Sequence, residues 1–88
     1  MKKFDFSIAL AHLKNGRKVA REGWNRKGQW LMLTITPPTT SIEVDGKRYG
    51  FAPYVQMKNA EGEMVPWQPS QGDMLADDWM IVHVFVPL

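Results

Sequence analysis

The segment at 65–79, VPWQPSQGDMLADDW, concentrates aromatic and polar residues in the last third of the chain. It holds two of the four tryptophans, three aspartates and a Ser-Gln-Gly turn. Ser70 followed three residues later by Asp73 is typical of a helix start in which each side chain caps a backbone N–H group of the other. The segment therefore predicts a short helix from Ser70 to about Ala76. Its other polar and aromatic residues are also suited to binding a ligand.

A longer helix is predicted near the N-terminus, over residues 5–15, from apolar residues at helical spacing. Asp5 is expected to cap its start, and Gly16 is expected to stop it. Its apolar stripe consists of Phe6, Ala9, Leu10 and Leu13.

Several short segments rich in β-forming residues follow this helix. The predicted strands lie at 19–20, 30–36, on both sides of an Asp45-Gly46 turn, and at 53–58, 64–67 and 79–86. Pro66 places its strand at a sheet edge or a bulge. The nearly continuous apolar run in the last strand predicts that both of its faces are covered. Because strands and helices do not alternate, we expect an α+β fold with a small antiparallel sheet, an N-terminal helix and a short C-terminal helix, forming a single domain over residues 1–88.

Composition limits how such a domain is stabilised. The 88 residues include no cysteine, so disulfides are absent, and two isolated histidines do not make a structural zinc site. Dense aromatic packing and oligomerisation are the remaining ways to stabilise a chain of this size. No apolar run is long enough to span a membrane, and the N-terminal sequence does not resemble a signal peptide. We therefore expect a cytoplasmic protein.

The net charge of +2 is small, but its distribution is uneven. Basic residues concentrate in the first third of the chain and acidic residues concentrate after position 60. This asymmetry permits an anion-binding patch in the first third of the chain. It is too weak for a protein dedicated to nucleic acid, which would carry a longer basic stripe.

The sequence offers few sets of residues that could form a catalytic site. Without cysteine, and with His83 inside an apolar strand as a core or interface residue, no nucleophile stands beside an obvious base. Asp77 and Asp78 are compatible with acid–base chemistry, but helix capping explains them as well. The acidic residues match no calcium-binding loop. We therefore expect a protein that is not an enzyme and holds neither a metal nor a cofactor.

The tryptophans divide into two groups by their neighbours. Trp30 and Trp79 are expected to fill the core. Trp24, in REGWN, and Trp67, in VPWQPSQ, have polar flanks, and a tryptophan in such a place offers a flat face for stacking a base. For these two, core packing and ligand binding stay open at this point.

Two longer segments carry a family resemblance. KVAREGWNRKGQWL, together with PYVQMKNAEGEMVPWQPSQGDMLADDWMIV, resembles the phage Thoeris anti-defence protein two family. The patterns ARxGWN and VPWxxSQxDMLAxDW are specific when they occur together. The stretch 36–51 matches nothing in the family pattern.

The resemblance implies a function in which a nucleotide signal is bound and held without being cleaved. Members of the family bind glycocyclic ADP-ribose, a cyclic ADP-ribose-type signal, so that the Thoeris effector is never switched on. Some members also take cyclic dinucleotides at a separate site. The resemblance further implies a homotetramer with pockets between subunits.

Combined with the residue chemistry, the resemblance indicates a ligand-binding neighbourhood. Trp24 and Trp67 are assigned to base stacking, Arg21 or Arg26 to the phosphates, and Asn25, Ser70, Gln71 and Asp73 to hydrogen bonds. Two alternative hypotheses are a nucleotide-degrading enzyme and a small prophage structural or regulatory protein whose aromatic residues all serve the core or a subunit interface.

Overall fold

The computed structural model describes residues 2–24, 28–34 and 40–83. Its elements, in chain order, are α1 (Phe6–Lys14), β1 (Lys18–Arg21), β2 (Trp30–Leu33), β3 (Ser41–Val44), β4 (Lys47–Gly50), β5 (Val55–Lys58), β6 (Met64–Pro66), α2 (Gln71–Leu75) and β7 (Trp79–Val82). This confirms the predicted α+β class, with an N-terminal helix, a small antiparallel sheet and a short C-terminal helix.

Helix α1 begins and ends as its sequence predicts. The Asp5 carboxylate accepts a hydrogen bond of 3.1 Å from the backbone N–H of Ile8, which satisfies one of the free donors of the first turn. Gly16 has a φ of 81°, the left-handed conformation that stops a helix and that glycine adopts without strain. Ala9 and Leu13 of the predicted stripe are fully buried.

Five strands form one antiparallel sheet in the order β6-β5-β2-β1-β7. The edge position of β6 confirms the prediction from Pro66, because proline cannot donate a ladder hydrogen bond. The last strand pairs with the first, in the register Val19 with Ile81. Residues 35–36 of the predicted central strand and 84–86 of the predicted closing strand lie outside the described residues.

Strand registers divide the sheet into two faces. The inner face carries Val19, Leu31 and Trp79, which pack with α1 into the buried core. The outer face carries the alternate residues, among them Ala20, Trp30, Met32, Met80 and Val82. No helix of the described residues packs on this outer face, although Met80 and Val82 are partly buried there. That both faces of the last strand are covered stays a prediction.

His83 follows β7 and is exposed. Its predicted core role is therefore wrong, because β7 lies at the sheet edge and the described part of the strand ends just before this residue. The interface role stays a prediction.

Strands β3 and β4 form a separate two-stranded sheet joined by Asp45-Gly46. Both turn residues have positive φ, 52° for Asp45 and 80° for Gly46, as the predicted two-residue hairpin turn requires. Within the described ranges, no helix is long and apolar enough to cross a membrane.

Candidate functional site

The carboxylate of Asp73 accepts hydrogen bonds from three parts of the chain. Its Oδ2 accepts from the backbone N–H of Ser70 at 3.0 Å, and the Asp73 N–H donates to the Ser70 hydroxyl at 3.0 Å, which confirms the predicted capping box. Its Oδ1 accepts from Arg21 Nη1 at 2.8 Å and from Trp24 Nε1 at 3.1 Å. One side chain therefore starts α2 and ties it to β1 and to the turn that follows β1.

Arg21 lies between two aspartates. Its Nη1 pairs with Asp73 and its Nε pairs with Asp78 Oδ1, each at 2.8 Å, and the three side chains are only 13% to 27% exposed. The hydrogen bond to Asp78, followed by that to Asp73, raises the pKa of the Arg21 guanidinium above its ordinary value. The positive charge of Arg21 is therefore balanced by two carboxylates of the same chain.

The two aspartates titrate below their ordinary range. Arg21 lowers the pKa of the Asp78 carboxyl, partial burial opposes this, and the Gly23 N–H adds to the lowering. For Asp73, partial burial is the largest influence and acts to raise the pKa. The bonds from Ser70, Arg21 and Trp24 together outweigh it, so the pKa lies below the ordinary value. Both carboxylates are therefore ionised at neutral pH.

Asp78 also fixes the turn after β1. Its Oδ2 accepts from the Gly23 N–H at 2.7 Å, and its backbone carbonyl accepts from the Glu22 N–H at 3.0 Å. A Cβ placed on Gly23 would lie 2.7 Å from Asp78 Oδ2, closer than real contacts allow. Helix α2 is followed by Ala76 as its C-cap, so Asp78 serves the Glu22-Gly23 turn and not the helix end.

Aromatic rings surround Trp79, which is completely buried. Trp24 and Trp67 contact it edge-on, with ring centroids at 5.5 and 5.9 Å, and Phe6 lies at 5.4 Å. The Trp79 indole N–H donates to the backbone carbonyl of Asp73 at 2.9 Å. The core role predicted for Trp79 is confirmed, and Trp24 and Trp67 are half-buried members of the same cluster.

The structure brings most of the predicted ligand-binding residues together. Five of them form the cluster just described, which we call the Asp73 cluster: Arg21, Trp24, Trp67, Ser70 and Asp73, joined through Trp79 and Asp78. Gln71 is exposed at the first position of α2. Asn25 and Arg26 lie outside the described residues.

Grooves lie beside the Asp73 cluster and at the β7 edge. One, of about 310 Å³, lies beside the cluster and is lined by Trp24, Trp30, Met80, Val82 and neighbours on the outer face of the sheet. A larger one, of about 360 Å³, lies at the β7 edge away from the cluster, lined by Phe4, Ile8, His12 and others. The groove at Trp24 is at the small end of the range of ligand pockets, which run from ~300 to 1,000 Å³.

Sequence reasoning missed the role of Asp78. The signal for it was the charge asymmetry itself, with basic residues early and acidic residues late. That pattern alone predicts an anion-binding patch, whereas part of it is an internal ion pair between Arg21 and the acidic residues of the C-terminal segment.

Comparisons with known proteins cover most of the chain. Residues 4–82 match the Thoeris anti-defense 2-like domain family. The chain is also 36% identical, over 89 residues, to a Thoeris anti-defense 2 protein of Bacillus phage SP01, covering 91% of this chain and 96% of that relative.

Proposed function

Because the chain belongs to the Thoeris anti-defense 2-like family, its role is directed against Thoeris defence, and we propose that it acts as a non-enzymatic sponge for a nucleotide signal. The ligand that we propose is a cyclic ADP-ribose-type molecule, glycocyclic ADP-ribose, with cyclic dinucleotides as a second class. The copies of the chain form a homo-oligomer, a tetramer, with pockets between subunits. The chain binds this ligand without any chemical step.

The observation that carries this proposal is the Asp73 cluster. It joins the two segments of the family pattern into one rigid unit, with Trp24 held by its indole N–H and the start of α2 held by the capping box. A binding protein gains affinity when its contact residues are ordered before the ligand arrives. Rigid support of this kind suits a sponge, whose purpose is tight and saturable binding.

Within this proposal the residues take different roles. Trp24 lines the groove on the outer face and offers the stacking surface. Gln71 is exposed at the start of α2 and is available for hydrogen bonding, whereas Ser70 and Asp73 are occupied with each other. Because the two aspartates compensate Arg21, we assign the phosphates to Arg26 and a positioning role to Arg21.

The size of the groove supports a pocket between copies. A nucleotide with two phosphates needs more than the ~300 Å³ at which ligand pockets begin. The groove at Trp24 opens on the outer face of the sheet, which no helix of the described chain covers. A second copy on this face would supply the missing wall.

Isothermal titration with glycocyclic ADP-ribose tests the proposal. We expect saturable binding and recovery of the intact ligand, shown by chromatography, after the protein is denatured. Recovery of a cleaved product would identify a nucleotide-degrading enzyme instead. No heat of binding at millimolar ligand, together with no intact ligand recovered from the denatured protein, would exclude the sponge.

The packing of Trp24 and Trp67 on Trp79 supports a second candidate function, a small prophage structural or regulatory protein whose tryptophans serve only the core. Alanine at either tryptophan would weaken both the core and a ligand site, so it does not separate the two functions. Gln71→Ala does, with Gln68→Ala as the control, because both side chains are exposed and lie on the same short segment. A sponge loses affinity in the first variant only, and both variants keep the wild-type thermal midpoint.

A further inference from the structure

The pair Asn15-Gly16 lies between α1 and β1, and at no other place in the sequence does a glycine follow an asparagine. In such a pair the backbone nitrogen of the glycine can attack the side-chain amide carbon of the asparagine, because glycine has no Cβ to hinder the approach. A bond forms between this nitrogen and Cγ, the nitrogen loses its proton, and the side-chain amide leaves as ammonia. Water then opens the resulting cyclic imide to aspartate or to isoaspartate, whose main chain runs through the side chain.

The surroundings of the pair favour this reaction. Both residues are exposed, so water and hydroxide reach them. The basic residues Lys14 and Arg17 flank them in the sequence, and their positive charges stabilise the negative charge that develops on the glycine nitrogen as it loses its proton. The pair therefore has the chemistry of a modification site that needs no enzyme and no co-reactant except water.

The folded end of α1 keeps the two reacting groups apart. The Gly16 N–H donates to the Leu13 carbonyl at 3.0 Å, and the Asn15 side-chain Nδ2 donates to the Ala11 carbonyl at 3.1 Å. The ψ of Asn15 is 11°, which places the Gly16 nitrogen beside the Asn15 backbone nitrogen and turns it away from the Asn15 side chain. Attack requires rotation about this bond and loss of both hydrogen bonds. The pair therefore reacts only when the last turn of the helix opens.

This opening is local. Leu13 before the pair and Val19 after it are fully buried, and they hold α1 and β1 in the core. The chain is exposed over residues 14–17 and is tied to the helix by backbone hydrogen bonds, among them that from the Arg17 N–H to the His12 carbonyl at 3.0 Å. Helix ends fray at a lower cost in free energy than global unfolding. The reactive state is therefore a frayed helix end in an otherwise folded protein.

We propose that Asn15 is a site of spontaneous conversion to isoaspartate and that fraying of the last turn of α1 sets its rate. The proposal uses neither the ligand nor the oligomer of the proposed function. The product weakens the fold, because its new carboxylate lies at the C-terminal end of a helix, where negative charge is unfavourable, and the Ala11 carbonyl loses its side-chain donor. Isoaspartate also lengthens the main chain between Leu13 and Val19. A modified chain is therefore expected to unfold at a lower temperature than an unmodified one.

Peptide mapping by mass spectrometry tests the proposal on the full chain, incubated in its folded state at mildly alkaline pH. Asn59, which begins a turn and precedes Ala60, is the internal reference, and a synthetic peptide of residues 11–20 gives the rate for an unfolded chain. We expect Asn15 to convert at least roughly tenfold more slowly than the peptide and faster than Asn59. Methyl transfer by an isoaspartyl methyltransferase distinguishes isoaspartate from aspartate. A rate equal to that of the peptide, or no faster than that of Asn59, would overturn the proposal.

A matched pair of variants tests whether fraying sets the rate. Lys14 is the last residue of α1 and is exposed. Lys14→Gly and Lys14→Ala remove the same charge, but glycine is a much weaker helix former than alanine. We expect Asn15 to convert about fivefold faster in the glycine variant than in the alanine variant, because the helix end is open more often. Equal rates in the two variants would mean that the helix end does not control the reaction.

The dependence of the rate on urea separates fraying from global unfolding. Local opening exposes little surface, so the conversion rate of Asn15 is expected to stay nearly constant at urea concentrations below the unfolding transition. A rate that rises in proportion to the unfolded fraction would identify the unfolded chain as the reactive state and would contradict control by the helix end.

Discussion

Gly23 occupies a position at which a larger side chain would collide with Asp78. A Cβ at this position would lie 2.7 Å from the Asp78 carboxylate, which accepts hydrogen bonds from both Gly23 and Arg21. A methyl group therefore does not fit unless this carboxylate moves. The glycine is needed for close approach and not for an unusual backbone angle. The motif ARxGWN and the segment ADDW therefore contact each other, because Arg21 and Gly23 of the first donate to Asp78 of the second.

Gly23→Ala is expected to destabilise the protein by about 1–3 kcal/mol, because the methyl group displaces the Asp78 carboxylate from two of its donors. Gly72→Ala is the matched control. Its Cβ would meet only the Ser70 hydroxyl, at 3.6 Å, and alanine favours the helix by about 0.5–1 kcal/mol. Urea unfolding should therefore move the two midpoints in opposite directions. Equal shifts would show that Asp78 adapts without cost.

The two aspartates that hold Arg21 also predict a pH dependence. Their pKa values are lower in the folded than in the unfolded chain, so their contribution to stability is full above the unfolded value of about 3.9 and is lost as pH falls through the lower folded values. Arg21→Met removes the partner of both carboxylates and should cost about 2–4 kcal/mol at pH 7. The difference in unfolding free energy between wild type and variant should shrink toward pH 3. A difference independent of pH would mean that Arg21 acts only through packing.

At the scale of elements, α2 is a short helix supported mainly by its cap. Five residues form too few internal hydrogen bonds to be stable alone, and none of them is buried. The capping box and the bonds from Asp73 to Arg21 and Trp24 supply what the helix lacks.

Ser70→Ala should lower the free energy of unfolding by about 1 kcal/mol, since the Asp73 N–H loses its acceptor. Gln68→Ala, two residues earlier and exposed, is the control and should leave stability unchanged. Chemical denaturation monitored by tryptophan fluorescence measures both. A stable Ser70→Ala variant would mean that water replaces the hydroxyl at no cost.

Elements defined by neighbouring residues were predictable from sequence. The stripe of α1, the Asp45-Gly46 turn and the capping box of α2 all depend on residues a few positions apart, and the structure confirms each. The pairing of β7 with β1 depends on residues at opposite ends of the chain, and no local pattern indicates it. For the same reason the partners of Arg21 were missed, because ion pairs between distant segments leave no spacing to detect.

For the whole molecule, the proposed sponge predicts stabilisation by its ligand. At a hundred times the dissociation constant, a ligand that binds only the folded state adds about 2.7 kcal/mol. For a domain of this size such a gain raises the thermal midpoint by roughly 10–20 °C. Differential scanning fluorimetry with glycocyclic ADP-ribose measures this shift, and Gln71→Ala should reduce it. An unchanged midpoint at saturating ligand would argue against the sponge.

The position of β7 has a consequence for how this chain is made on the ribosome. Trp79 is the centre of the aromatic cluster, and its strand closes the sheet against β1. The core therefore cannot assemble until β7 has left the exit tunnel, and folding of this domain waits for that strand. During that interval Trp24 and Trp67 are without their central partner, so the nascent domain is most exposed to aggregation and proteolysis just before β7 emerges.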